Sequence, residues 1–462
     1  MKYFLILLFL NMIFTKNYNL SELINIALEK SPQIKLANED KKISLSHSIE
    51  ARSAALPRIQ FVTSATRNYN VAGQPIDFPI PFGVLNPVTG DPIPTEWNPS
   101  LQETEIIPDE IMFSMGRDYS GLYGININQT IFDGRVFAGI RASNKFKNLT
   151  NASYDSQKEE IIENTKISFY TVLLTKKVTE VFHKSLKRSK DNLFNTKLLY
   201  DSGKTNELEL IRAESMVKDQ ETTYSNAKKN EILALEKLKL TIGFNLSQNL
   251  NIVGAFKDSI QIIPEFNEIS NQLLAQQPRI KQLEANHDLL QEDVNSYLSE
   301  FLPSIELTGS IHKFQSQNKD NFTWKNFQDN SSLSINIGLP LFNGFGSTAR
   351  IMRAKANAKK AYYHSEDLKN NLLLDLRNIH LSLIEANEKI NAGNKKLELA
   401  SRGYNIANDL FLTGMTTQLE LLGAEVSLNR AELNLLQAKY EFQIALVKLS
   451  RAIGKNTTGN TK

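Results

Sequence analysis

The sequence contains no cysteine. A chain without thiols has no disulfide framework, no thiolate nucleophile and no cysteine-held metal. It also offers no thiol near its start to carry an N-terminal lipid. An excess of one charge is lacking too: 53 basic residues stand against 50 acidic ones, a net of +3. That mixture describes a solvated surface rather than a nucleic-acid footprint. The six histidines (His47, His183, His287, His312, His364, His380) are scattered, with no H-x-x-x-H spacing, so neither a metal site nor a cofactor is expected. Gly203-Lys204-Thr205 ends like a phosphate loop, but Leu198 stands where the first glycine of that loop belongs. No G-x-S-x-G elbow accompanies the serines, histidines and aspartates. Nothing in the chain argues for an enzyme.

Long apolar runs are nearly absent. Met1-Lys2 precedes one from Tyr3 to Phe14, broken by Asn11. Its length, about a dozen residues against the roughly 20 of a spanning helix, fits a secretory signal over residues 1–17, cleaved in the zone Thr15 to Tyr18. No other run reads as a transmembrane helix.

Proline is missing from two long tracts, Asp109–Ile263 and Leu341–Lys462; all 14 prolines lie in Pro32–Pro108 or Pro264–Pro340. Because proline breaks helix interiors, the proline-free tracts are free to form long helices. Periodicity agrees. Leu368, Leu372, Leu376, Ile379, Leu383, Ala386 and Ile390 step by threes and fours, as do Leu419, Leu422, Val426, Leu433, Leu436 and Tyr440, with Asn429 breaking the second row. Each tract pauses once, at Asp201-Ser202-Gly203 and at Leu412-Thr413-Gly414, where glycine ends a helix. Thr205 or Asn206, and Thr416 or Thr417, then cap the next helix. Two long helical hairpins with tight tips follow.

Between the prolines the period changes to two. Ile59, Phe61, Thr63 and Ala65 alternate with Arg58, Gln60, Val62 and Ser64. Similar alternation runs through Tyr119–Asn128, from Ile305 to Ile311, and from Leu333 to Leu339. This predicts four strands, each with one apolar and one polar face. An ordinary half-buried sheet and a membrane-spanning barrel share that signature. If the strands cross a membrane, four are too few to close a barrel, and several chains must share one.

The two halves also repeat. Ser31-Pro32-Gln33-Ile34-Lys35 matches Gln277-Pro278-Arg279-Ile280-Lys281, and Leu56-Pro57-Arg58-Ile59 matches Leu302-Pro303-Ser304-Ile305, both at an offset of 246. GININQTIFDG (Gly124–Gly134) then matches SINIGLPLFNG (Ser334–Gly344) at 210, so the first half carries 36 extra residues between. GKTNELELIRAE (Gly203–Glu214) matches GMTTQLELLGAE (Gly414–Glu425) at 211, as Leu240–Gly243 matches Arg451–Gly454. The expected organisation is a first repeat over 18–250, with strands at about 58–67 and 119–131 and a hairpin at about 135–243. The second repeat covers 251–455, with strands at about 304–314 and 332–341 and a hairpin at about 347–453, before a disordered tail, 456–462.

In this order, duplicated, SPQIK and QPRIK, LPRI and LPSI, IFDG and LFNG, and the two tips resemble the TolC-like outer-membrane efflux protein family over nearly the whole mature chain. The resemblance implies a mixed α/β membrane protein. Its coiled-coil hairpins would line a periplasmic tunnel, and its four strands would join those of two further copies in a trimeric twelve-stranded β-barrel. It implies a homotrimeric exit duct in the bacterial outer membrane, serving a tripartite efflux pump or type I secretion. Its partners would be a periplasmic adaptor, an inner-membrane pump and outer-membrane lipid, with no nucleic acid. A structural helical spacer of the periplasm, without transport, is the alternative.

The family pattern carries Glu209 and Glu420 over as pore-constriction residues, and Gly203, Lys204, Leu208, Gly414, Met415 and Leu419 as adaptor-docking residues of the tips. Phe132 with Gly134, and Phe342 with Gly344, would mark where strand turns into helix. Two positions depart from the charged pattern of relatives: Gly423 replaces a second acid, and Thr416 replaces an arginine latch. The extra residues, within Tyr69–Asp118, would enlarge an extracellular loop, and Phe244–Asn271 would form a belt around the tunnel.

Overall fold

The structure, a computed structural model, describes residues 17–71, 73–76, 111–114, 117–256, 263–318 and 324–455. The expected signal, most of the enlarged loop and the tail lie outside the described residues. The elements run β1 (Asn17–Tyr18), α1 (Leu20–Lys30), α2 (Pro32–Ser53), β2 (Arg58–Arg67), β3 (Gly73–Ile76), β4 (Ile111–Ser114), β5 (Tyr119–Phe132), α3 (Gly134–Asp201) and α4 (Glu207–Ile242). They continue with β6 (Asn251–Ile252), α5 (Phe266–Gln276), α6 (Pro278–Leu298), β7 (Ser304–Gln317), β8 (Gln328–Gly338), α7 (Gly346–Leu412) and α8 (Gln418–Ala452). A short helix, a proline-started helix, strands and a long helix pair thus occur twice in order.

Contacts divide the described residues into two units. One takes in the chain up to Ile49, Ala138–Tyr297 and everything from Gly346; the other comprises Glu50–Phe137 and Leu298–Phe345.

The helical unit holds both hairpins. α3 has 68 residues and α7 has 67, each about 100 Å at 1.5 Å per residue. Among the described residues no helix is long and apolar enough to cross a membrane. The α7–α8 seam is leucine-rich: Leu376, Leu383, Ile390, Leu435 and Phe442 share one buried cluster with Ile269, Leu273 and Ile280 of α5 and α6. A second cluster joins Leu23 and Ala27 of α1 to Phe169, Val172 and Leu173 of α3 and Leu238 and Ile242 of α4. Prolines 32 and 278 open α2 and α6, where a missing N–H costs nothing. The elbows before them receive the hairpin ends. Gly243 (φ 81) lies so close that a β-carbon there would sit 2.4 Å from the Lys30 carbonyl oxygen. Gly454 (φ 67) meets the Gln276 carbonyl in the same way, at 2.7 Å. The Gln277 amide closes the α8 end, donating to the carbonyls of Arg451 (3.2 Å) and Ala452 (3.0 Å).

The second unit carries an open antiparallel sheet of order β2-β5-β7-β8. Cross-strand partners share a face. The register therefore lays Ile59, Ile127, Gly309 and Leu333 in one row and Phe61, Ile125 and Ile311 in the next, with Ile335 and Ile337 beyond. That face is apolar and exposed: Phe61 is 69% exposed and Leu333 74%. The opposite face is amide and hydroxyl. Ser310 bonds Ser332 at 2.8 Å, Asn336 donates to Thr308 at 3.2 Å, and His312 Nε2 meets Asn126 Oδ1 at 2.8 Å. The final strand differs from expectation. It starts at Gln328 and stops at Gly338, because Pro340 has no N–H to extend a ladder. β7 runs on to Gln317, held by its register with β5.

Candidate pore entrance and docking tips

Both tips are built by one backbone recipe. After α3, Gly203 adopts φ 72, its N–H reaching Tyr200 O (2.9 Å) while Lys204 N–H reaches Leu199 O (2.8 Å). After α7, Gly414 adopts φ 73, with Gly414 N–H on Phe411 O (3.0 Å) and Met415 N–H on Leu410 O (2.8 Å). Glycine supplies the left-handed step that closes each helix. Of the paired cap candidates, the structure selects Asn206, whose side chain accepts from Glu209 N–H (3.1 Å), and Thr417, which accepts from Glu420 N–H (3.3 Å).

The two glutamates then part company. Glu209 is tied down: Arg212 Nη1 lies 2.9 Å from its Oε1. The buried Gln418 amide, oriented to satisfy both groups, donates to its backbone carbonyl at 2.7 Å and to Oε2 at 2.8 Å. Glu209 is thus a contact between the hairpins. Glu420 is exposed and accepts from the Thr416 hydroxyl, so threonine holds this carboxylate where a relative's arginine would stand. Gly423 has nothing within 4 Å of its would-be β-carbon. Gly203, Lys204, Leu208, Gly414, Met415 and Leu419 all lie exposed around the tips; Met415 is 76% exposed and Leu419 67%.

Sequence reasoning missed a polar cluster on the same seam. Glu425 of α8 is buried and accepts from Ser185 Oγ (3.0 Å) and Arg188 Nε (3.3 Å) of α3. Arg188 also donates to Asn429, whose amide donates to Ser185 Oγ at 2.9 Å. The Arg188 guanidinium lies over the Tyr404 ring of α7 at 5.6 Å. Burial, and then the Glu425 charge, push the Tyr404 phenol above its usual range. The signal was present: Asn429 interrupts an otherwise apolar row. Further along, Thr171 meets Tyr440 at 3.1 Å and Arg451 pairs with Glu163, so polar contacts recur along the α3–α8 seam.

The two expected strand-to-helix junctions are built differently. β5 ends at Phe132 and α3 starts at Gly134, but Gly134 has no left-handed φ. It is a close-packing glycine, since a β-carbon there would fall 2.6 Å from Ser299 Cβ. Asp133 caps α3, accepting from Arg135 N–H at 2.8 Å and pairing with Arg135 Nη2 at 2.9 Å. In the second half, Phe342 and Gly344 lie in the link after β8. Gly344 and Phe345 both adopt φ 63 there, and Phe345 packs edge-on against Phe342 at 5.4 Å.

Helical hairpins with such tips, attached in sequence to strands of one apolar and one polar face, define a class of export channel. The sequence profile of the outer membrane efflux protein family matches residues 23–244 and 269–455, and the chain belongs to that family. It is 20% identical to the alkaline protease secretion protein AprF of Pseudomonas aeruginosa, across 92% of this chain and 82% of the relative. It is 21% identical to the outer membrane protein TolC of Vibrio cholerae, across 94% and 90%. Its fold resembles the crystal structure of the Campylobacter jejuni CmeC outer membrane channel, with a TM-score of 0.76, 17% identity, and 95% and 86% of the chains covered. The chain is a TolC-like, non-enzymatic channel protein of the outer membrane, and its role is that of an exit duct.

Proposed function

We propose that the chain works as a homotrimer, the exit duct of a tripartite efflux pump or type I secretion system. Each copy gives four strands to one twelve-stranded barrel in outer-membrane lipid, and the hairpins line a periplasmic tunnel. The open four-stranded sheet carries this reading. It presents an exposed apolar face, a polar face and, among the described residues, two unpaired edges, β2 and β8. Lipid suits the first, a water-filled lumen the second, and neighbouring copies the third, because bare backbone is not tolerated in hydrocarbon. The helices support it with exposed apolar stripes: Ile211, Ile232 and Leu240 on α4, Leu374, Leu381 and Leu399 on α7. Such stripes seek partner helices.

The exposed tip residues Lys204, Leu208, Met415 and Leu419 receive the adaptor, which joins the inner-membrane pump. Glu420 rings the entrance in three copies and concentrates negative potential there. Glu209 contributes to the same constriction through its link to Gln418. The two structural repeats supply the two strand pairs and the two hairpins.

The deciding measurement is the native mass of detergent-extracted protein beside an extraction without detergent. A membrane-bound particle of three chains that conducts across a planar bilayer is expected. Release without detergent, or a single chain in micelles, would leave only the periplasmic spacer.

A further inference from the structure

The offset of 211 that relates the tips in sequence also relates the hairpins in space. Moving α3 and α4 forward by it lands buried residue on buried residue: Val172 on Leu383, Ala227 on Ala438 and Leu238 on Leu449. A face that one hairpin uses therefore has a counterpart on the other. Within the chain the hairpins meet along α3 and α8, through Glu163 with Arg451, Thr171 with Tyr440, and Ser185 with Glu425. The counterpart seam sets α7 against α4. Carried across by the offset, the three contacts become Leu374 with Leu240, Ser382 with Lys229, and Lys396 with Glu214.

These partners suit each other, although complementarity played no part in choosing them. Leu374 is 60% exposed and Leu240 59%, so both are large apolar side chains left in water by the single chain. Two helical turns further, Leu381 falls opposite Leu233, and both are again exposed. Lys396 and Glu214 are exposed and opposite in charge. Glu214 is also the repeat of Glu425, so one repeated glutamate would close both seams, held by Ser185 and Arg188 in one and by a lysine in the other. The match ends at the tips, where Gln418 with Glu209 becomes Glu207 with Glu420, two exposed acids.

We infer that the α4 face of one copy seats the α7 face of the next, head to tail, with Leu240 on Leu374, Leu233 on Leu381, and Glu214 paired with Lys396. This rests on the duct reading above and adds the faces, the register and the chemistry. Two different faces meet, so the contact is satisfied in every copy only when the ring closes. The seams then alternate in character. Where the seam within a chain carries Arg451 and Glu163, the seam between chains carries leucine on leucine. The leucines supply the adhesion, because exposed apolar stripes gain by leaving water. The ion pair adds little adhesion but fixes the register and the partner.

The lack of native cysteine gives a clean test. Full-length protein in its membrane carries Leu240→Cys with Leu374→Cys, is oxidised mildly, and is run on a denaturing gel without reductant. A product of three chains is expected, returning to one chain on reduction. Either substitution alone is expected to give no linked product, and the two single variants produced together should give a two-chain product. Leu233→Cys with Leu374→Cys, about 10 Å out of register at 1.5 Å per residue, is expected to stay largely single. Self-linking by either single variant overturns the head-to-tail arrangement, and equal linking by the displaced pair overturns the register. An independent arm reverses charge. Glu214→Lys or Lys396→Glu should lower the temperature at which the trimer dissociates, and the two together should restore it. A double variant no better than the singles overturns the ion pair. A native mass of three chains without linking of the first pair overturns the seam and leaves the duct standing. A native mass of one chain overturns both.

Discussion

The two hairpins share lengths, tips and caps, yet their interiors differ. The second is closed by Leu376, Leu383 and Phe442, all essentially buried. The first, from Ser185 to its tip, buries Ser185, Leu186, Ser189 and Thr196 on α3 and Ala213 and Val217 on α4. Higher up α3, Thr165 and Thr179 are buried too, each turning its hydroxyl back to a carbonyl one turn earlier (2.8 and 2.9 Å). A hydroxyl bonded within its own helix adds little across the seam. Small side chains let helices approach closely, but they interlock less than leucine and phenylalanine do. One backbone plan therefore tolerates a stiff seam and one more compliant toward its tip, while Phe169, Val172, Leu173, Leu238 and Ile242 close the first hairpin's other end.

The largest expected effect attacks the stiff seam. Phe442→Ala should lower unfolding free energy by about 3–5 kcal/mol, read by denaturant titration in detergent. A loss below 1 kcal/mol, roughly that of a surface change, would mean that the second hairpin is not closed by its apolar core. Next comes the joint between the hairpins. Glu425→Ala should cost about 3 kcal/mol because it strands Arg188, whereas Arg188→Met combined with Glu425→Leu should recover most of that loss. A double variant no better than the single one would show that the cluster does more than satisfy its own charges.

In the compliant hairpin, Thr165→Val should change stability by no more than about 1 kcal/mol, since the hydroxyl serves only its own helix. A loss as large as that of Phe442→Ala would erase the contrast between the two interiors. The smallest effect separates the two strand-to-helix junctions. Burial acts to raise the Asp133 carboxyl, but hydrogen bonds and charge from Arg135 outweigh it and hold the group below its usual range. A carboxyl depressed in the folded state contributes stability above its unfolded value of about 4, and the contribution is lost as pH falls through the folded value. The second half has Asn343 at this position and no charge to lose. Melting profiles of wild type and Asp133→Asn should therefore differ in their acid slope. Parallel slopes would rule out this contribution.

Much of the architecture was legible because it depends on local rules. Proline-free tracts, threefold-to-fourfold apolar steps and tip glycines announce long helices and their ends, and alternation announces strands. Gly243 and Gly454 were legible as matching positions but not in their cause, the carbonyl of an elbow more than 170 residues away in each case. The site was less readable. Whether Glu209 stands free or bound to Gln418 depends on which faces of two hairpins meet, and no periodicity within one helix fixes that. The Ser185–Arg188–Glu425–Asn429 cluster was hidden for the same reason, apart from the broken row at Asn429. At Gly134 the glycine was recognised, but the reason is Ser299, a neighbour that a linear pattern does not name.

The unpaired edges of β2 and β8 also govern the chain before it reaches a membrane. Each is a ready template for any passing strand, and between them lies a greasy face. On the proposed shared barrel, a lone copy in water races between productive meeting and clumping, both of which quicken as copies accumulate. Delivery in small numbers, with the strands kept apart until lipid is at hand, becomes as much a condition of the finished protein as any contact within it.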